Sequence, residues 1–260
     1  MIRRVLPALR HLLGPVARPL ALACLALVLL AAPAAAAPRS CAMPAEMLEE
    51  ARPLQAAQRA LELGQLRILV LGSASVIQAG TAEAATTWPT RLEAALGRRY
   101  SEARINVLVR GTRGASVTDN LQRLKDALRE YTPALVLWQA GTVELSRGMD
   151  PHEMTEVMRE GLEAIRRSGA ELIVMDQQYS RFLRANANVE PYRDRLRLLA
   201  ASAGAALFPR YELMRHWVDT GTLDLERAAR GDRAAALERL NGCLGEAVAQ
   251  LIIRGLSEAR

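Results

Sequence analysis

Leu66-Arg67-Ile68-Leu69-Val70-Leu71-Gly72-Ser73-Ala74-Ser75 is the stretch that decides how the chain folds. An apolar, partly β-branched run is followed at once by glycine and small hydroxyl residues. That is the signature of a first central strand in an α/β sheet, delivering its C-terminal end to a site. Downstream, apolar runs and amphipathic segments alternate. Strands are predicted over 104–109, 134–139, 171–176 and 205–208. Helices are predicted over 88–97, 117–131, 151–167, 190–203, 211–218 and 234–256, with Gly242 and Gly245 inside the last. Upstream, 43–63 reads as one amphipathic helix closed by Gly64. Residues 75–85 and 177–187 read as loops.

Five apolar strands separated by helices imply an α/β fold with a mainly parallel, doubly wound sheet. Such a sheet places ligands at the carboxyl ends of its strands. Here those ends are Gly72 to Ser75, Gly111 to Ser116, Gly141 to Glu144 and Asp176 to Tyr179.

The 260 residues suffice for one well-buried domain, with only two Phe, so its core must be aliphatic. The formal charge of +6 is misleading. The first 36 residues carry Arg3, Arg4, Arg10 and Arg18 and no acid, which leaves 30 basic against 28 acidic residues, a net of +2. Nucleic acid is therefore not expected as a partner. The sequence has no repeat and no Cys/His cluster of metal-ligand spacing, so neither a metal nor an organic cofactor is expected.

The N-terminus reads as a secretory signal over 1–37: an arginine-bearing region, an apolar run from Pro19 to Leu30, then small residues around Ala34 to Ala37. An uncleaved anchor is the alternative. With cleavage, 38–260 is one exported domain in the periplasm or outside the cell, with no membrane attachment, its core spanning about 66–256. Cys41 and Cys243 are then the only cysteines left. In an oxidising compartment an even pair points to a disulfide. It would close a loop of roughly 200 residues, worth about 5 kcal/mol by loop entropy. Two unrelated thiols are the other reading.

Several pieces, in order, resemble a known family. They are Gly72-Ser73-Ala74-Ser75-Val76, Trp88-Pro89-Thr90-Arg91-Leu92-Glu93 and Trp138-Gln139-Ala140-Gly141-Thr142. After them come Asp176-Gln177-Gln178-Tyr179, Phe208 with Met214-Arg215-His216-Trp217, and Cys243-Leu244. The pattern is similar to that of the SGNH/GDSL hydrolases, esterases and acyl hydrolases on a three-layer flavodoxin-like sheet. It looks most like a secreted bacterial branch with a Gly-Ser-Ser-Ser-Thr first block.

The resemblance implies a serine nucleophile at the first strand end, a histidine base three residues after an aspartate, and an oxyanion site. That site takes the serine N–H, a glycine N–H and an asparagine side chain. Carried over, the nucleophile position falls on Ala74 and the glycine on Gly114, or else Gly111. The asparagine falls on Val143, after Gly141 and Thr142, and the Asp-x-x-His on Asp232 and Ala235. Three of the four chemical side chains are thus replaced by hydrocarbon. The expectation is an exported pseudoenzyme that keeps a cleft for an acylated or glycan-like ligand, or for a periplasmic protein.

Two alternatives stay open. One is a working esterase for small acyl groups, using Ser75 or Ser73 with His216 or His152 as a displaced base. The other is a structural module. Among the remaining candidates, Glu144 reads as a charged rim residue and Trp138 as strand packing. Arg110 and Arg113 could meet an anion, though this chain is rich in surface arginine.

Overall fold

The computed structural model describes residues 41–77 and 87–260. The signal-like segment and most of the loop after the first strand lie outside the described residues. Five strands form one parallel sheet: β1 (Gln65–Gly72), β2 (Arg104–Gly111), β3 (Leu135–Gln139), β4 (Glu171–Met175) and β5 (Ala206–Phe208), in spatial order β2-β1-β3-β4-β5. β1 pairs with β2 from Gln65↔Arg104 to Gly72↔Gly111, and with β3 from Ile68↔Leu135 to Leu71↔Trp138. All five residues of β3 are buried, and four of the five in β4. Continuous apolar runs of this kind suit strands covered on both faces.

The helices are α1 (Ala45–Leu48), α2 (Gln55–Glu62), α3 (Ala74–Ile77), α4 (Trp88–Arg99), α5 (Val117–Tyr131), α6 (Thr142–Arg147), α7 (Pro151–Ser168), α8 (Arg181–Asn186), α9 (Glu190–Ser202), α10 (Arg210–Asp219) and α11 (Arg233–Glu258). α4 packs on α11, α5 on α7, and α7 on α9. Local chemistry fixes several boundaries. Ser116 and Asp119 form a reciprocal capping box at the start of α5. Asp150 caps α7, Pro151 takes its first position, and Gly169 ends it at φ +77°.

Two contacts show why glycine and tryptophan sit where they do. A Cβ on Gly161 would lie 2.3 Å from Trp138 Cζ3, so α7 can cover the buried indole only with glycine there. A Cβ on Gly245 would meet Arg91 Cβ at 2.5 Å, which lets α11 lie directly on α4. Trp138 is strand packing, as expected from its position.

Three sequence expectations need correction. The single helix over 43–63 is two helices, α1 and α2. Pro53 lacks an N–H and disfavours helical backbone at Arg52, so the chain breaks there. The strand end at Gly141 continues as α6, and the loop over 177–187 contains α8. Both helices have six residues, too short to leave a periodic signal.

Cys41 and Cys243 form a disulfide across 202 residues of sequence, with a Cα–Cα distance of 5.2 Å. It ties the start of the described chain to α11. Met43 N–H donates to Gln250 Oε1 at 3.3 Å and Leu54 N–H to the Gly255 carbonyl at 3.1 Å, so the whole entering segment is held on that helix.

Candidate functional site

The carboxyl edge of β1 and β2 is built on two glycines. A Cβ on Gly111 would lie 2.5 Å from the Gly72 carbonyl oxygen, and one on Gly72 would lie 2.7 Å from Val76 Cγ1. Close approach lets β1 turn at once into α3. Ser73, Ala74 and Ser75 sit in this turn, all partly exposed. Ser73 Oγ accepts from the Ala74 N–H at 2.6 Å. Ser75 Oγ donates to Gln139 Oε1 at 2.7 Å and accepts from Arg210 Nη1 at 3.4 Å. Ala74, between them, presents only a methyl group.

The second and third loops meet this turn. Asn120, in α5, donates its Nδ2 to the Gly72 carbonyl at 3.3 Å. Gly114 has φ +75°, and a Cβ there would lie 3.2 Å from Arg147 Nη2. Gly141 has φ +95°, with the buried Gln177 Oε1 2.7 Å from where its Cβ would be. Val143 is half-buried on α6.

Glu144 is not a rim residue. It is 2% exposed, and its two carboxylate oxygens accept from the Val117 N–H at 2.7 Å and the Gly141 N–H at 2.8 Å. A buried carboxylate is tolerable where backbone donors satisfy it. Glu144 thereby staples the third loop to the start of α5. Sequence reading placed it outside because acids in loops are usually solvated.

A second polar cluster lies at the ends of β4 and β5. Asp176 is buried and accepts from the Tyr211 N–H at 2.9 Å. Burial pushes its carboxyl up to about 7, against the opposing pull of that N–H and of Arg193 and Arg210. Arg193 Nε stands 3.9 Å from Asp176 Oδ2, and the same guanidinium also binds Glu190 and Glu212. Arg210 is 1% exposed, and burial pulls its guanidinium down to about 10, with Asp176 resisting. Its Nε has no hydrogen-bond partner among the described residues. Neither arginine was singled out from sequence. The available signal was a charge directly after the apolar run Ala205 to Pro209, at the end of a strand.

The other candidates stand apart from the serines. His152 is on the exposed first turn of α7, its Nδ1 3.4 Å from Glu156. His216 is exposed on α10. Neither ring bonds Ser73 or Ser75; among the described residues the partners of Ser75 are Gln139 and Arg210. Asp232 is exposed in a 3-10 turn (Arg230–Asp232) before α11. Ala235 is exposed on the first turn of α11 and lines a surface groove with Arg91, Arg98 and Glu238. Arg110, at the end of β2, reaches the Val109 carbonyl at 3.4 Å. Among the described residues no group of three or more His, Cys, Asp or Glu could hold a metal ion. No helix among them is long and apolar enough to cross a membrane.

Chemically, the edge offers two hydroxyls, two strand-end glycines and buried arginine. Among the described residues it offers neither serine an imidazole or carboxylate partner.

The sequence pattern of the non-GDSL lipase-like family matches residues 40–258. No curated protein matches the chain. Among solved structures, a catalytic mutant of Axe2, an acetylxylan esterase from Geobacillus stearothermophilus, is similar with a TM-score of 0.57 at 16% identity, covering 74% of this chain and 94% of that one. AlinE4, an SGNH-hydrolase family esterase, gives 0.52 at 22% identity, covering 71% and 95%. TesA gives 0.50 at 21% identity, covering 68% and 97%. At these identities the likeness is one of fold: the three-layer flavodoxin-like architecture of the SGNH esterases.

Proposed function

The chain belongs to the non-GDSL lipase-like family, and on that premise we propose that it is a ligand-binding member without the triad chemistry of SGNH esterases. The observation that carries this reading is Ala74. It is the first residue of α3, directly after the turn out of β1, where the family resemblance puts the attacking serine. Val143, where the resemblance puts the oxyanion asparagine, supports it; Ala235, carried over as the base position, instead lies apart from the serines in a groove with Arg91, Arg98 and Glu238. In a well-studied serine protease, loss of nucleophile or base alone costs about a million-fold in turnover. The ligand is an acylated or glycan-like small molecule, or a periplasmic protein, met at the carboxyl edge of the sheet.

Purified protein offered short-chain aryl esters and a serine-reactive phosphonate is expected to show neither turnover nor labelling. Turnover that disappears in Ser75→Ala or Ser73→Ala would sink this reading.

A second reading, an active hydrolase of small acyl esters, is favoured by one observation. Ser75 Oγ is partly exposed and lies 3.4 Å from a cationic guanidinium, which would favour its alkoxide form. A purely structural role draws on the same bonds, since they tie α3 to β3 and α10.

We further propose that the chain is exported to the periplasm or beyond. The signal-like sequence over 1–37 and the Cys41–Cys243 bridge support this. Cell fractionation with mass analysis of the N-terminus tests it; retention of Met1 in the cytoplasmic fraction would refute it.

A further inference from the structure

At the amino edge of the sheet, opposite the Ser73–Ser75 turn, lies a cavity of about 450 Å³. It opens where β4 and β5 begin, between the last turn of α7, the end of α9 and the segment that enters α2. Sites for small molecules commonly have volumes of about 300–1,000 Å³ and mostly apolar walls. Here the apolar walls include Leu54, Leu162, Ile165 and Leu172, all buried except the half-buried Leu162.

The chain holds this space open in two ways. Its walls are pinned: the Leu54 N–H donates to the Gly255 carbonyl at 3.1 Å, and the Glu171 carboxylate accepts from the Ala56 and Ala57 N–H groups at 3.0 and 3.1 Å. The link from α9 to β5 is Ala203-Gly204-Ala205-Ala206, which carries nothing larger than a methyl group, so it lines the cavity without filling it.

The charged residues of the rim differ in what they already bind. Glu171 is held by the first amides of α2, and Glu163 pairs with Arg167 at 3.5 Å. Arg52 donates to the Glu49 and Ala51 carbonyls and meets no acid among the described residues. Arg166, exposed on the last turn of α7, makes no hydrogen bond or ion pair with any described residue. Its position complements the helix dipole and leaves its donors free. The charge left unanswered beside the apolar walls is therefore positive. Apolar walls with a free cation at the rim suit an amphiphile with an anionic head. We propose that this cavity binds a soluble medium-chain carboxylate, with its hydrocarbon chain against Leu54, Ile165 and Leu172 and its carboxylate on Arg166. The site is separate from the carboxyl edge and stands whether or not that edge is catalytic.

The test is calorimetry and thermal unfolding of the whole protein with decanoate below its micelle threshold, beside decanol and decylammonium. Decanoate is expected to bind saturably at a single site and to raise the melting temperature. Arg166→Gln is expected to weaken decanoate by about tenfold or more and to leave decanol unchanged, since only the head group loses a partner. The ligand-free melting temperature of that variant should not move, because the side chain is exposed. Ala203→Leu adds hydrocarbon at the cavity wall and is expected to weaken decanoate and decanol alike. If Ala203→Leu does not fold, Arg166→Gln decides.

The proposal is overturned if decanoate does not bind saturably, or if decylammonium binds more tightly than decanoate, which would mean that Glu163 and Glu171 set the polarity of the rim. It is also overturned if Arg166→Gln, or a folded Ala203→Leu, binds decanoate as tightly as the parent. Ester turnover is read separately and bears on the carboxyl edge alone.

Discussion

Along β3, Leu135, Val136, Leu137 and Trp138 are buried among apolar neighbours. At the carboxyl edge just beyond, Gln139, Glu144, Asp176, Gln177, Arg193 and Arg210 are also buried, yet each is polar or charged. In the middle of the sheet, stability comes chiefly from area removed from water, and the one polar side-chain atom of these four residues, Trp138 Nε1, is itself without a partner among the described residues. At the edge every group needs one, and Asn120 Oδ1, Gln177 Oε1 and Arg210 Nε have none among the described residues. A fold optimised only for stability would place hydrocarbon in those positions. Where local rules are broken at a strand end, a site is the usual reason. The edge of this chain has kept the polar construction of a site, while Ala74 and Val143 stand where the family resemblance puts reactive groups.

Four substitutions break or sharpen this contrast, in falling order of effect. Trp138→Ala, in the apolar middle, empties a large cavity against Gly161 and is expected to cost about 3–5 kcal/mol in urea unfolding. Glu144→Ala, at the edge, strips two backbone donors of their charged acceptor. It is expected to cost about 1.5–3 kcal/mol by the same measurement. A loss as large as that of Trp138→Ala would mean that the edge is as structural as the core.

Asp176 gives the contrast a pH signature. With its carboxyl pushed up to about 7 by burial, the folded chain holds a proton that the unfolded chain has lost. The stability contributed by this group is fully present below about pH 4 and is lost as the pH rises to about 7. Asp176→Asn removes that slope. Urea midpoints of both proteins from pH 4 to 8 should diverge in slope below 7 and run parallel above it. Identical slopes throughout would show that Arg193 and Arg210 keep the carboxylate ionised. The smallest effect belongs to the surface. Arg91→Gln breaks an exposed pair with Glu238 at 3.1 Å and should change stability by less than about 1 kcal/mol.

Much of this was open to sequence reading because it depends on local pattern. Runs such as Leu135 to Trp138 announce strands. Ser116 with Asp119 announces a helix start, and Pro151 with Gly169 brackets another. The break at Pro53 was also there to be read, but the amphipathic spacing over 43–63 masked it. Glu144, Asp176 and Arg210 were harder for a different reason. Whether an acid or an arginine is solvated depends on which backbone N–H groups and which opposite charges the fold brings to it. Gly141 and Val117 are 24 residues apart in sequence, and Asp176 and Tyr211 are 35 apart.

By itself, then, the sequence determined the parallel α/β architecture, the edge at which a site belongs, the Cys41–Cys243 pairing as one of two readings, and the alanine between two serines at the first strand end. Each follows from residue type and spacing along the chain. Only the tertiary structure decided that Ser75 is bonded to Gln139 and Arg210, that neither histidine meets a serine, and that Glu144 is a buried staple. It also decided that Arg210 is a buried cation with an empty donor. These are contacts between residues far apart in sequence, and their energies depend on burial and distance, which no spacing in the chain encodes.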